Sequence, residues 1–275
     1  MIKIIACHKK YSLTLIILNL LFLYHSYSIF KFRVPVLLFH EVKPTATPQN
    51  QALLPKKLYN ILKLIDEKGY STMFPGDTVV FDEKKVILSF DDGTRDHFEV
   101  VMPMLNISKK QGLFFWVNQQ VDALTSSQKE KLLRFSKNHR IGVHTNKHEA
   151  LLTTTHSAKA IKNELMSSKH GLEGFFKYPI NSFAFVKGIF DQGSAQIAQG
   201  IFDYNFTVEY DYFYPFDKGL HGRMIIFPET TLDEISRYMD SSRPHKELSF
   251  YTLCFLICFL NLMFFGLLVN KKEAA

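Results

Sequence analysis

Short apolar runs alternate with amphipathic stretches through the middle of the chain. Residues 34–39, 86–90 and 113–117 are largely apolar runs that each end at a polar residue, which is typical of buried strands. Between the first two runs, apolar residues recur at helical spacing over residues 58–65, and Gly69 follows them. This spacing predicts an amphipathic helix that ends near the glycine.

The same alternation continues toward the carboxyl terminus. Helical patterns lie near residues 100–105, 128–136 and 158–168, and strand patterns lie near residues 141–143 and 182–186. Apolar strands that alternate with helices predict a parallel α/β sheet or barrel. In such folds the functional side chains collect where strands end and loops begin.

Two longer apolar segments lie at the ends of the chain. Residues 13–30 are mostly apolar and residues 248–269 carry no charge, and each approaches the roughly 20 residues that cross a bilayer as a helix. We therefore predict two transmembrane helices. The first segment could instead be a signal peptide, but no typical small-residue cleavage site follows it, which favours an uncleaved anchor. Lysines outside both spans favour cytoplasmic termini, with the middle of the chain on the extracellular face of the cell membrane.

These features divide the chain into three predicted parts. Residues 1–31 are the membrane anchor with a short cytoplasmic segment, residues 32–246 are the α/β domain, and residues 247–275 are the second transmembrane helix and a cytoplasmic tail. No disulfide framework is expected in the domain, because the cysteines all lie in or beside the apolar ends: Cys7, Cys254 and Cys258.

The net charge of the chain comes largely from its ends. The chain has 33 basic and 26 acidic side chains, a formal net charge of +7, whereas residues 31–245 hold 27 basic and 24 acidic side chains. So small an excess in the domain does not indicate a nucleic acid partner. An aromatic content of 14% also excludes a disordered chain.

Two adjacent carboxylates follow the second apolar run. Asp91 and Asp92 come directly after residues 86–90 and precede Gly93. Like charges at the end of a buried strand raise each other's pKa, and a nearby cation removes that cost. The two carboxylates of such a pair can then have different roles, one as a metal ligand and the other as a base. Because Asp-Asp-Gly is also common in turns, a solvated turn is the alternative.

Two histidines follow the predicted strand at residues 141–143. His144 and His148 are four residues apart, so one helical turn or a tight loop brings both imidazoles to one side, which is a spacing of metal ligands. With one carboxylate they leave coordination positions open for water and substrate, as in hydrolytic metal sites. A polar helix start with incidental histidines is the alternative.

A third candidate ends the first predicted strand. His40 directly follows residues 34–39. A free imidazole has a pKa of about 6.5, which suits the donation of a proton to a leaving amine. A histidine in this position without the other two elements would more often be structural.

Together these segments resemble a known enzyme family. Residues 89–93, Ser-Phe-Asp-Asp-Gly, resemble the Thr/Ser-Phe-Asp-Asp-Gly motif of the polysaccharide deacetylases, carbohydrate esterase family four. Residues 144–148, His-Thr-Asn-Lys-His, resemble their His-Ser/Thr-x-x-His motif. Residues 34–40 resemble the branch that deacetylates poly-β-1,6-N-acetylglucosamine, a biofilm exopolysaccharide. The likeness covers residues 34–228.

The resemblance implies a distorted (β/α) barrel and the hydrolysis of acetamide groups on an extracellular N-acetylglucosamine polymer, with release of acetate. It implies that Asp91 is the general base that deprotonates the attacking water. It also implies that His40 is the general acid, as in the poly-N-acetylglucosamine branch. In the ordinary family arrangement the acid comes from a late motif, for which His221 is the candidate.

The resemblance also implies a cofactor and its ligands. Asp92, His144 and His148 would hold a divalent metal, with zinc expected. Thr145 would help to orient the site, and Arg223 matches a late arginine of the same branch, which we assign to substrate binding. A surface salt bridge is the other interpretation of Arg223.

One segment departs from the family. Members usually continue with Phe-Ala-Tyr-Pro-Tyr-Gly, whereas residues 183–188 read Phe-Ala-Phe-Val-Lys-Gly, so that Val186 and Lys187 replace the proline and the second tyrosine. Because that segment shapes the substrate groove, two alternatives stay open. One is a deacetylase of peptidoglycan or chitin-like β-1,4 glycans. The other is a non-catalytic protein that binds glycan or scaffolds a membrane polysaccharide synthase.

Overall fold

Strands and helices alternate along the unit Arg33–Asp240. The computed structural model describes residues 33–45, 52–78 and 83–240. In chain order its elements are β1 (Val36–Phe39), α1 (Pro55–Glu67), β2 (Ser71–Thr72), β3 (Lys85–Phe90), a π-helical turn (His97–Val101), α2 (Met102–Ile107), β4 (Leu113–Trp116), α3 (Asn118–Asp122), α4 (Ser126–Phe135), β5 (Arg140–Val143), α5 (Ala158–Phe176), β6 (Ser182–Ala184), α6 (Gln192–Gln199), β7 (Tyr204–Phe206), β8 (Leu220–His221), β9 (Met224–Ile225) and α7 (Leu232–Asp240).

The strands form one parallel sheet that curls into a half-barrel. Across the described residues the strand order is β8-β7-β6-β5-β4-β3-β1-β9, and β2 pairs with β3. The edge strands β8 and β9 are separated in sequence only by Gly222 and Arg223. Because the three residue steps from His221 to Met224 reach at most about 11 Å, the two edges of the sheet must approach each other.

The two faces of the sheet carry different side chains. On β3, Val86, Leu88 and Phe90 belong to the larger apolar core, which includes the apolar faces of the helices. Ile87 belongs to a smaller core on the inner face. Since side chains alternate along a strand, Asp91 continues the inner row of Ile87 just beyond the strand's carboxyl end.

The predicted fold class needs correction at its two ends. The parallel α/β architecture is present, but the prediction of flanking transmembrane helices is wrong for the ranges that the structure describes. In these ranges, no helix is long and apolar enough to cross a membrane. The 19-residue helix α5 is long enough, but its charged side chains make it amphipathic. The predicted spans at residues 13–30 and 248–269 lie outside the described residues.

Candidate active site

The two carboxylates lie at the carboxyl end of β3 and point to different partners. The backbone N–H of Asp91 donates to the carbonyl of Phe39 at 3.0 Å and so continues the pairing of β3 with β1. Asp92 then adopts a left-handed conformation with φ of 76°, which is uncommon for a residue with a side chain. This turn separates a buried Asp91 from a partly exposed Asp92.

The two histidines lie in a tight loop after β5, and not on a helix. Thr145 (φ 67°) and His148 (φ 60°) both have left-handed backbone, and the Thr145 hydroxyl accepts a hydrogen bond from the N–H of Glu149 at 3.3 Å. Thr145 itself is buried. Strained conformations of this kind persist where the surrounding structure fixes them, commonly at functional sites.

The surrounding structure holds this loop through Asn146. The backbone N–H and the side-chain amide of Asn146 each donate to the carboxylate of Glu164 at 2.7 Å. The amide of Asn118 donates to the side-chain oxygen of Asn146 at 2.7 Å. The loop between the two histidines is therefore fixed to α3 and α5.

Asp92, His144 and His148 converge as a possible metal site. One ligand atom from each lies within 4.8 Å of the others. The Oδ1 atom of Asp92 lies 3.0 Å from Nε2 of His148 and 3.4 Å from Nε2 of His144. A carboxylate oxygen with two imidazole nitrogens is the ligand set of many hydrolytic zinc sites, in which further positions stay open.

The orientation of His144 supports this interpretation. Its Nδ1 atom lies 2.9 Å from the carbonyl oxygen of Ala184, which can only accept a hydrogen bond. Nδ1 must therefore carry the proton, which leaves the lone pair of the neutral ring on Nε2. Histidines that bind metals commonly donate their other ring N–H in this way.

The groups around Asp92 keep its carboxylate ionised. Burial raises the pKa of Asp92, but its side-chain contacts with His144 and His148 together outweigh burial and bring that pKa below its usual range. The hydrogen bond to Asp92 raises the pKa of His148. An anionic carboxylate between two imidazoles is the charge distribution that a divalent cation would stabilise.

Arg223 contacts Asp91, and not the protein surface. Its NH1 and NH2 atoms donate to Oδ1 and Oδ2 of Asp91 at 2.7 and 2.8 Å, and both side chains are buried. The guanidinium also lies 5.4 Å from the ring centre of Phe115. Burial raises the pKa of Asp91, but the charge and the hydrogen bonds of Arg223, together with smaller effects of the nearby imidazoles, outweigh burial and lower it. The structure thus gives Arg223 a different contact from the substrate contact predicted for it.

His40 is half-buried at the end of β1, where one neighbouring side chain contacts its backbone and another contacts the backbone of Val42. The carbonyl oxygen of His40 lies 3.1 Å from Nε2 of His97, and Asp96 Oδ2 accepts a hydrogen bond from the N–H of Val42 at 2.7 Å. We call Asp96 and His97 the clamp. Sequence reasoning missed it, although both residues closely follow the paired carboxylates.

His221, the alternative acid, lies in the inner core. Its ring is 4.6 Å from that of Phe213 and 5.6 Å from that of Phe206, and neither ring nitrogen has a hydrogen-bond partner among the described residues. Burial lowers its pKa to about 4. Because such an imidazole is neutral and enclosed, the geometry favours His40 over His221 as the acid.

The divergent segment follows β6, beside the histidine loop. Lys187 has left-handed backbone with φ of 55°, and its side chain is exposed. Its positive charge acts to lower the pKa of His148, against the larger opposite effect of Asp92. Lys187, which differs from the residue usual in the family motif, therefore affects the electrostatics of the site.

Comparison with known proteins agrees with this arrangement. Residues 78–201 match the family model described as polysaccharide deacetylase, and this range includes both carboxylates and both histidines. This part of the chain is therefore a polysaccharide deacetylase domain. His40 and Arg223 lie outside the matched residues.

The individual relatives of this chain are distant in sequence. The putative polysaccharide deacetylase YxkH of Bacillus subtilis is 19% identical over 175 residues, which span 61% of each protein. The Streptococcus pyogenes deacetylase PplD in complex with acetate has a TM-score of 0.67 at 16% identity and covers 77% of this chain and 100% of its own. IcaB from Ammonifex degensii has a TM-score of 0.65 at 18% identity, with 76% and 97% covered. These two likenesses establish the fold.

Proposed function

We propose that this chain removes acetyl groups from an N-acetylglucosamine polymer by metal-dependent hydrolysis, with release of acetate. The observation that carries the proposal is the division of roles between neighbouring carboxylates. Asp92 lies with His144 and His148 in a three-ligand cluster, while Asp91 is held apart from it by Arg223. Hydrolysis of an amide with the help of a metal uses a cation and a separate base, and this arrangement supports both roles.

The ligand set favours zinc as the metal. One carboxylate oxygen and two imidazole nitrogens suit Zn²⁺ better than Mg²⁺ or Ca²⁺, which prefer sites made of oxygen ligands. When bound, the metal supplies Lewis acidity, which makes water a stronger nucleophile near neutral pH and stabilises negative charge on a carbonyl oxygen.

Asp91 can take the proton of the attacking water. Its two hydrogen bonds from Arg223 use two of the roughly four lone-pair positions of a carboxylate, so other positions can accept a proton. The same contact fixes both oxygens of Asp91, and orientation of a reacting group is itself a large part of catalysis. The low pKa of Asp91 ensures that it is ionised before the reaction starts.

His40 can complete the reaction by protonating the leaving nitrogen. As the C–N bond of the acetamide breaks, the amine is too basic to leave without a proton. His40 lies at the carboxyl end of β1, which pairs with β3 and its carboxylates, and its side chain is partly exposed. The products are acetate and a free amine on the sugar.

We propose poly-β-1,6-N-acetylglucosamine as the preferred substrate. The support is the resemblance of residues 34–40 to the branch that acts on this polymer, together with the preference for His40 over His221 as the acid. Because that polymer is an exopolysaccharide, the proposal also includes an extracellular site of action. The changed segment around Lys187 keeps a β-1,4 glycan as the second candidate.

The decisive experiment measures acetate release and bound metal on the same protein samples. Wild type and the Asp91→Asn and His144→Ala variants are each given β-1,6-linked and β-1,4-linked N-acetylglucosamine oligomers of equal length. We expect Asp91→Asn to keep its metal and to lose about 10²–10⁴-fold in rate, the usual contribution of a general base. His144→Ala should lose both metal and activity.

Three results would contradict parts of the proposal. Full activity in Asp91→Asn would remove the assignment of the base. Faster release from β-1,4 oligomers would replace the preferred substrate by the second candidate. Bound metal without acetate release from any acetylated glycan would identify a non-catalytic glycan-binding protein instead.

A further inference from the structure

A second concave site lies at the amino ends of the central strands. It is a pocket of about 490 Å³, a volume within the usual range for small-molecule sites. Its walls come from the segment after β2, from the starts of β4 and β5, and from the segment before β6. None of its residues belongs to the candidate active site.

The pocket and the metal ligands lie at opposite ends of the same strands. Arg140 lines the pocket and begins β5, and His144 directly follows that strand. Four residue steps of about 3.3 Å each place the two backbones about 13 Å apart. One glycan unit at the pocket therefore cannot also occupy the metal site.

One wall of the pocket is a rigid turn. The N–H of Phe74 donates to Oδ2 of Asp77 at 2.7 Å, and the N–H of Asp77 donates to the carbonyl of Phe74 at 3.1 Å. Gly76 has φ of 89°, and a Cβ at this position would lie 2.9 Å from the hydroxyl oxygen of Tyr204. The wall is thus formed without a ligand, as binding pockets usually are.

The pocket offers both donors and acceptors to a ligand. The Arg140 guanidinium lies 5.3 Å from the ring centre of Phe74, and no carboxylate among the described residues forms an ion pair with it. The hydroxyl of Tyr178 accepts a hydrogen bond from the N–H of Ile141 at 3.0 Å, so its own proton can be donated to a ligand. Asp77 and Asn181 add a carboxylate and an amide.

These groups favour a neutral polyhydroxyl ligand over an anion. The carboxylate of Asp77 lines the same pocket as Arg140 and would repel a bound phosphate. Sugar hydroxyls both donate and accept, so they can satisfy the carboxylate, the amide and the guanidinium together. The ring of Tyr178 is half-buried and offers apolar surface for the C–H groups of a sugar.

We propose that this pocket is a second saccharide-binding site, which holds a pyranose unit of a glycan. A site of this kind would keep a polymer on the protein while another part of a chain reaches the metal ligands. The binding itself does not require the proposed deacetylase activity.

Binding is best tested by NMR on the full chain carrying Asp92→Asn, which disables the metal site. This background separates a failure of the pocket from a failure of the proposed deacetylase activity. The probe is the trisaccharide of N-acetylglucosamine, and the amides of Gly76 and Ile141 report on the pocket. We expect both signals to shift, and adding Arg140→Ala or Asn181→Ala should weaken binding about tenfold through loss of hydrogen bonds.

The matched control is Lys137→Ala, which removes an exposed positive charge near the start of β5 without touching the pocket. Its affinity for the trisaccharide should equal that of the Asp92→Asn background. A parallel titration uses inorganic phosphate. The proposal is overturned if the trisaccharide shifts neither amide, if both pocket substitutions leave its affinity unchanged, or if phosphate binds and the sugar does not.

Discussion

Arg223 and Asp91 face each other through two parallel hydrogen bonds of 2.7 and 2.8 Å, with Arg223 fully buried and Asp91 almost fully buried. Such a pair is formed at a high desolvation cost. Its contribution is geometric, because the planar guanidinium fixes both oxygens of the carboxylate at once. Arg223 lies between β8 and β9, so it also connects Asp91 to the place where the edges of the sheet approach.

We predict that the two residues are strongly coupled in stability. Asp91→Asn or Arg223→Met alone leaves a buried charge without its opposite charge and should cost about 3–5 kcal/mol in the free energy of unfolding. The double variant should cost clearly less than the sum of the two single variants. Urea unfolding of all four proteins measures the coupling, and additive costs would contradict the prediction.

The clamp should act on catalysis through His40. Asp96→Ala leaves the buried N–H of Val42 without an acceptor, which should cost about 1–3 kcal/mol of stability. It should also lower kcat and change its pH profile, since His40 loses its fixed position. Asp96→Asn keeps an acceptor oxygen and should retain most of the activity.

A matched control separates this effect from a general loss of charge. Asp122→Ala removes an exposed carboxylate from α3 and should change neither stability nor the pH profile of kcat. If Asp96→Ala kept the wild-type pH profile and kcat, the clamp would be a structural feature without influence on His40.

Removal of the metal should lower the thermal stability of the wild type. A ligand present at 100 times its Kd adds about 2.7 kcal/mol to the free energy of unfolding, which corresponds to roughly 5–10 °C in Tm for a domain of this size. Adding a chelator should therefore lower Tm by several degrees, and zinc should restore it. The Asp92→Asn variant should show neither change, and an equal shift in that variant would place the metal elsewhere.

Acid should destabilise the fold through two buried histidines. Burial lowers the pKa of His139 and of His221 to about 4, whereas an unfolded histidine has a pKa of about 6.5. Between these values the unfolded chain binds more protons, so stability falls as pH decreases from about 6.5 to about 4. Each histidine should account for up to about 3 kcal/mol of this loss.

Urea midpoints of wild type, His139→Gln and His221→Gln between pH 7 and pH 4.5 test this expectation. The two substitutions should flatten the pH dependence, while His170→Gln, which changes an exposed residue of α5, should not. Parallel curves for all four proteins would refute it.

Local patterns predicted the elements near the catalytic strands well. The helix expected around residues 58–65 and ending near Gly69 is α1, and the runs at 86–90 and 113–117 are β3 and β4. Most of the elements after α5 were missed because β7, β8 and β9 have only two or three residues each. A strand of this length shows no alternation of apolar and polar residues, and its position is fixed by its partners in the sheet.

The same limit applies to the site. Asp92, His144 and His148 could be predicted because each follows a recognisable strand, and the structure brings them together. Their roles stay predictions. The boundaries of the three predicted parts of the chain also stay predictions. The contact between Arg223 and Asp91 could not be predicted, since it spans 132 positions and depends on the curl of the sheet. The clamp depends on the π-helical turn at His97–Val101, for which we found no sequence signal.

The left-handed backbone at Asp92, Thr145 and His148 has a consequence for protein design. The directions of the Asp92 and His148 side chains follow from the path of their loops as much as from residue identity. Transplanting the acid and the imidazoles onto a regular barrel would therefore leave them pointing apart. A working graft would have to carry both loops, together with the Asn146–Glu164 contact that holds the second one.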